Sequence, residues 1–180
     1  YVRQEVIPQV LIDEYRRRYA TIYDRAHLYV PFIERSLSLL ASEGVLGFIC
    51  ADRWTKNRYG APLRRLVSEH FNLRAYIDMV DTPAFTSDVV AYPAVFVIGN
   101  ERAASTRVAA RPRIEAGYLS DLAKQFVSSS PPRPPVAEVG LVVKGAEPWI
   151  LEDLDGLKLV RRLEECFPTL EEANCKVGIG

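Results

Sequence analysis

Residues 51–60 read Ala-Asp-Arg-Trp-Thr-Lys-Asn-Arg-Tyr-Gly, with three cations and two aromatic rings inside one short stretch. The stretch directly follows an apolar run of strand character. Ligands of open α/β sheets bind at the carboxyl ends of the strands. There, Arg53, Lys56 and Arg58 could meet phosphates, and Trp54 could wall a pocket. The competing reading is a solvated basic loop with Trp54 capping the core. Phe85 lies in a polar turn, Asp81-Thr82-Pro83-Ala84-Phe85-Thr86-Ser87-Asp88, where an aromatic is either a lid on the core or a stacking surface. Asp78 closes a strand pattern and suits the capping of a turn better than the binding of a cofactor. His27 and His70 are far apart in sequence, and Cys50, Cys166 and Cys175 lack C-x-x-C spacing, so a zinc site is not expected.

The elements that must position these residues follow from the apolar spacing. Leu28, Phe32, Ile33, Leu37 and Leu40 recur at helical intervals. Pro31 falls in the first turn, where its missing N–H costs nothing. Gly44 suits the left-handed residue that ends a helix. Val45–Cys50 is continuously apolar, which predicts a central strand buried on both faces. Pro62 opens a second helix through Leu63, Leu66 and Val67 to about His70. Leu73–Val80 is expected to be the strand beside Val45–Cys50. Val89–Ile98 is another strand, placed at an edge or bulged by Pro93, which cannot donate to the ladder. The alternation of helix and strand predicts an α/β sheet with an antiparallel closing strand. Further on, Thr106–Ile114 reads as extended, Tyr118–Phe126 as a short helix, Ser128–Pro135 as a proline-stiffened loop, and Asp155–Cys166 as an amphipathic helix.

The chain has 180 residues and 48% hydrophobic content, enough for about one domain. No apolar run reaches the ~20 residues of a membrane span, and the start does not read as a signal peptide. The cysteine usage fits a reducing cytoplasm. Net charge is zero, but its distribution is uneven. Residues 1–133 hold 18 Lys+Arg against 14 Asp+Glu, and residues 134–180 hold 5 against 9. That small excess is weak support for an anionic partner. Arg16-Arg17-Arg18 reads as a solvated helix face in preference to a phosphate contact.

The order of these segments resembles the second half of the catalytic domain of adenine-N6 DNA methyltransferases of restriction-modification systems. The resemblance rests on Leu28-Tyr29-Val30-Pro31-Phe32-Ile33-Glu34, Val45–Cys50, Arg53-Trp54, Tyr59-Gly60, Leu63-Arg64, Ile77-Asp78 and Phe85. It also rests on Tyr1-Val2-Arg3-Gln4-Glu5, which resembles the end of that family's Asn-Pro-Pro-Tyr motif. The fold implied is the later half of a Rossmann-like, S-adenosylmethionine-dependent methyltransferase sheet. The resemblance implies that Tyr1 stacks on a flipped adenine and that Phe85 packs on its other face. Arg53, Trp54, Lys56 and Arg58 would then face double-stranded DNA. The glycine-rich cofactor loop of the family would lie upstream, so no residue here is assigned to S-adenosylmethionine. Residues 1–127 would complete the catalytic domain. Residues 128–180 would connect to a target-recognition domain, whose entry Pro148-Trp149-Ile150-Leu151 and Cys175–Gly180 resemble. A piece of this kind, missing its initiator methionine, is expected to be inactive alone and to present a sheet edge at which a second copy could pair. Two other readings stay open: another S-adenosylmethionine-dependent methyltransferase on the same sheet, and a non-catalytic binding or scaffold module.

Overall fold

The computed structural model describes residues 4–84, 92–101, 105–140, 143–151, 154–170 and 172–176. In chain order the helices are α1 (Gln9–Arg18), α2 (Tyr29–Ser38), α3 (Ala61–His70), α4 (Ala116–Val127) and α5 (Leu154–Cys166). The strands are β1 (Val45–Ala51), β2 (Asn72–Asp78), β3 (Pro93–Gly99), β4 (Ser105–Ala110) and β5 (Ala137–Gly140). They form one sheet in the order β1-β3-β2-β4-β5. β3 runs antiparallel to both β1 and β2, and β4 runs parallel to β2.

Successive residues of a strand point to opposite faces, and both faces carry a core. On one face Val30, Ile33 and Leu37 of α2 and Leu63 and Val67 of α3 pack on Leu73, Tyr76, Phe96 and Ile98. On the other, Leu122 of α4 packs with Ala109, Val136 and the half-buried Ile77. α2 and α3 start as the apolar spacing predicts, with Pro31 and Pro62 in first turns.

Two strand placements differ from expectation. β1 is an edge strand, not a central one, and its neighbour is β3, not β2. Its residues alternate in burial: Cys50 is buried while Val45 and Ile49 are 45% and 56% exposed. The continuous apolar run thus reflects one face in the core and one apolar face that α4 does not reach. β3, in turn, is central. Pro93 is its first residue, opposite Ala51, a position where a strand tolerates the lost donor. The carbonyl of Pro93 still accepts from the Met79 N–H at 2.9 Å.

A smaller correction concerns a turn. α2 ends at Ser38, and the left-handed residue after it is Glu43 (φ 61°) instead of Gly44. Gly44 matters for space: a Cβ there would lie 2.9 Å from the Ala41 carbonyl oxygen. Residues beyond 128 also return to the sheet and its core. β5 pairs with β4, and Trp149 and Leu151 are buried in the main cluster. β5 is only four residues long, too short for alternation to announce it. α5 carries Leu159 and Leu163 exposed, followed by exposed Phe167 and Leu170. Among the described residues, no helix is long and apolar enough to cross a membrane, and no cluster of His, Cys, Asp and Glu is arranged to hold a metal ion.

Candidate functional site

Because β1 and β2 both run antiparallel to β3, and β4 runs parallel to β2, the three strands β1, β2 and β4 share one direction. Their carboxyl ends, Ala51, Asp78 and Ala110, therefore lie on one edge. Three segments leave that edge: residues 52–60, the turn after Asp78, and Arg111-Pro112-Arg113.

Residues 52–60 form two short 3-10 turns, Asp52–Thr55 and Arg58–Gly60. They divide the candidate residues between two sides. Trp54 points inward and is fully buried, tilted on Phe96 and edge-on to Trp149, each at 5.1 Å between ring centroids. It is therefore a core residue and not the wall of an open pocket. The buried Arg64 of α3 holds the loop from below, donating to the carbonyls of Trp54 (2.6 Å), Asn57 (2.8 Å) and Ala146 (2.9 Å). The Trp149 N–H donates to the Thr55 carbonyl at 2.9 Å. At Gly60 even a Cβ would sit 1.8 Å from the Trp54 carbonyl oxygen. The loop backbone is thus closely packed against the core.

The outer side carries the charge. Arg53 is exposed and lies over the Tyr92 ring, 3.7 Å from its centroid. Arg58 is exposed and donates to the Tyr23 hydroxyl at 3.0 Å. Lys56 lies 3.6 Å from the buried Asp52 carboxylate. Beneath them is a polar aromatic cluster. The Tyr29 and Tyr59 hydroxyls are 2.7 Å apart, and the His27 ring stacks on Tyr29 at 5.6 Å. Burial holds both phenols above their usual range, so they act as neutral hydrogen-bonding groups. His27, Tyr59, Asn57 and Arg58 line an open cleft together with Glu5, Asp24 and Arg25.

Asp78 is buried, and its carboxylate accepts the Val80 N–H at 2.8 Å, the turn-capping role expected of it. Tyr1 and Phe85 lie outside the described residues. Arg17 and Arg18 pair with Glu14 within α1, in keeping with a solvated face. Sequence reasoning missed Arg111, Tyr92 and the Tyr29–Tyr59 pair, which meet only through tertiary structure. Arg64 carried a signal, the Leu63-Arg64 pair, but not its burial.

Residues 1–85 match the family model described as Eco57I restriction-modification methylase. The whole chain is 58% identical to type II methyltransferase M.PaeR7I of Pseudomonas aeruginosa and 56% identical to type II methyltransferase M.XhoI of Xanthomonas vasicola. The chain is related to restriction-modification methyltransferases. It spans about a third of the length of these curated relatives, 32% and 34% respectively. Among solved structures, the type IIG restriction endonuclease BpuSI superposes with a TM-score of 0.57 at 13% identity, over 77% of this chain and 18% of that one. The M protein of the type I restriction enzyme EcoKI gives 0.51 at 12% identity, over 62% of this chain and 28% of that one. At such identities these two likenesses speak for the fold alone. With the five-stranded sheet they show a partial Rossmann-like α/β fold. Within the methyltransferase relationship, the Phe85 position closes the stretch matched by the family model, and Tyr1 opens it.

Proposed function

We propose that this chain is the later part of the catalytic domain of a DNA methyltransferase, one that transfers a methyl group from S-adenosylmethionine to adenine N6 within a restriction-modification system. The observation that carries the reading is the 58% identity to a type II methyltransferase along the entire chain. The geometry supports it by gathering cations and aromatic rings at the carboxyl edge of three parallel strands.

Adenine N6 is a poor nucleophile because its lone pair is delocalised into the ring. Transfer requires acceptors that hold the amino hydrogens and a fixed in-line geometry. It also requires the base to leave the duplex. In this reading Tyr1 completes an Asn-Pro-Pro-Tyr motif and stacks on the extruded adenine, with Phe85 on the opposite face. Arg58, Lys56 and the N–H edge of Arg53 contact phosphates of double-stranded DNA. Trp54 serves from behind, fixing the loop that presents them. Residues beyond Leu151 lead toward a recognition module.

The residues present do not fit a site for S-adenosylmethionine. None of β1, β2 and β4 is followed by Gly-x-Gly. Gly60, the one glycine in the loop after β1, is closed off by the Trp54 backbone. The cofactor would be held by other parts of the intact enzyme.

The test uses the full-length protein and duplex DNA containing adenine. Product analysis should find N6-methyladenine; methylated cytosine, or no methylated base, would refute the reading. Phe85→Ala should weaken binding or turnover by ~1–3 kcal/mol, the worth of one base–aromatic stack, with the fold intact. Unchanged turnover and DNA affinity would make Phe85 a turn residue only.

A further inference from the structure

We propose that Arg111 is a positioning residue for the β2–β3 connection, holding the start of the segment that carries Phe85 against the carboxyl end of β4. The inference rests on the reading that Phe85 faces the target base.

Arg111 is the residue immediately after β4. Its N–H donates to the Asp78 carbonyl at 2.8 Å, which joins the ends of the two parallel strands. Its Nε lies 3.6 Å from the Asp78 carboxylate, and its Nη1 lies 3.3 Å from that of Asp81. One side chain thus reaches the last residue of β2 and a residue of the turn beyond it. The turn is organised locally as well: Asp78 accepts from the Val80 N–H, and the Thr82 hydroxyl donates to the Met79 carbonyl at 2.7 Å.

Backbone conformation gives a second, independent observation. Arg111 (φ 48°) and Asp81 (φ 57°) are both non-glycine residues in the left-handed region. Such conformations are uncommon and persist where surrounding contacts over-determine them. Here the two residues are paired to each other. The far end of the connection is anchored too, since Tyr92 lies under Arg53 and its carbonyl accepts the Asp52 N–H at 2.8 Å. Both ends of the connection are therefore held by residues that leave the same sheet edge.

Arg111 is 58% exposed and Asp81 is 73% exposed, so the pair adds little to global stability. Its effect should appear in how the target base is held. The competing role for an exposed arginine at this edge is a direct phosphate contact, and the two roles differ in their signatures.

The experiment takes the full-length enzyme with S-adenosylmethionine and compares Arg111→Gln, Asp81→Asn, the double variant, Arg111→Lys and Phe85→Ala. Turnover is measured, together with the salt dependence of DNA binding and the fluorescence of a duplex carrying 2-aminopurine at the target adenine. Positioning requires that each single variant lower kcat by roughly threefold to tenfold and that the double be no worse than Arg111→Gln alone, because contacting residues couple. Arg111→Lys should recover part of the loss. The salt slope should not change, while the 2-aminopurine signal shifts in the same sense as in Phe85→Ala. A phosphate contact would instead lower the slope by about one for Arg111→Gln and tighten binding for Asp81→Asn, overturning the proposal. It is also overturned if both single variants match the parent while Phe85→Ala is impaired. A silent Phe85→Ala removes the underlying reading and this inference with it.

Discussion

Neighbouring residues in the 52–60 loop have opposite fates. Arg53 faces out over Tyr92, and Trp54 faces in against Phe96 and Trp149. The 3-10 turn that starts at Asp52 rotates each residue by about a third of a turn from the last. Composition announced a ring and a cation here but not which way either would point. Cys50 is a case where the sequence was sufficient: an apolar context predicted a core thiol, and it is buried. Burial, reinforced by the nearby Asp52 charge, pushes this thiol from the ordinary 9.0 up to about 12, against a smaller lowering by Trp54. A thiol reagent at pH 8 should therefore label the exposed Cys166 and Cys175 and spare Cys50 in the folded chain. Three equally fast thiols would contradict this. The neutral form is favoured by the fold, so its contribution to stability is complete below pH ~9 and is lost as pH rises toward 12.

Helices were more legible than strand order. α2, α3 and α4 follow from apolar spacing, helped in α2 and α3 by first-turn prolines, because those signals are local. The positions of β1 and β3 depend on pairings between distant segments, which no local pattern encodes. An apolar run reads the same whether both faces are buried or one is left bare, so Val45–Cys50 reads as a central strand although β1 lies at an edge. The candidate site divides likewise. The outward cations of the loop were legible from their types, whereas Arg64, Tyr92 and Arg111 gain meaning only from partners far along the chain. β5 and Trp149 show the same limit, since a proline-rich approach hides their return to the core. Trp149 is 1% exposed and its main-chain N–H holds Thr55. Trp149→Ala should cost ~3–5 kcal/mol, as large-to-small core changes do, with a lower urea midpoint and loss of near-ultraviolet ellipticity from the Trp54–Trp149 pair. A midpoint shift under about 1 kcal/mol would show that residues 143–151 are dispensable to the core.

At the scale of the molecule, zero net charge coexists with a locally cationic edge, so bulk charge does not report the local field there. The absence of a glycine-rich turn after β1, β2 or β4 leads to a specific expectation. The 180-residue chain by itself should show no micromolar binding of S-adenosylmethionine in calorimetry, and a clear isotherm would mean that the cofactor site is built from these residues after all. The bare side of β1 is a separate matter. Unpaired strand edges are templates for association, and the half-exposed Val45 and Ile49 make this one apolar.

β3 sits between β1 and β2 yet follows both in the chain. Spatial order and order of synthesis are therefore inverted at the centre of the sheet. As the polypeptide emerges from the ribosome, β1, α3 and β2 are complete while the strand that must separate them is still unmade. In that interval the two outer strands share a direction and are joined by a helix, the arrangement from which adjacent parallel strands are built. Direct pairing of β1 with β2 would occupy the place that Pro93–Gly99 holds in the native sheet. The antiparallel β3, bonded along both sides, thus joins two strands whose own pairing the native order excludes.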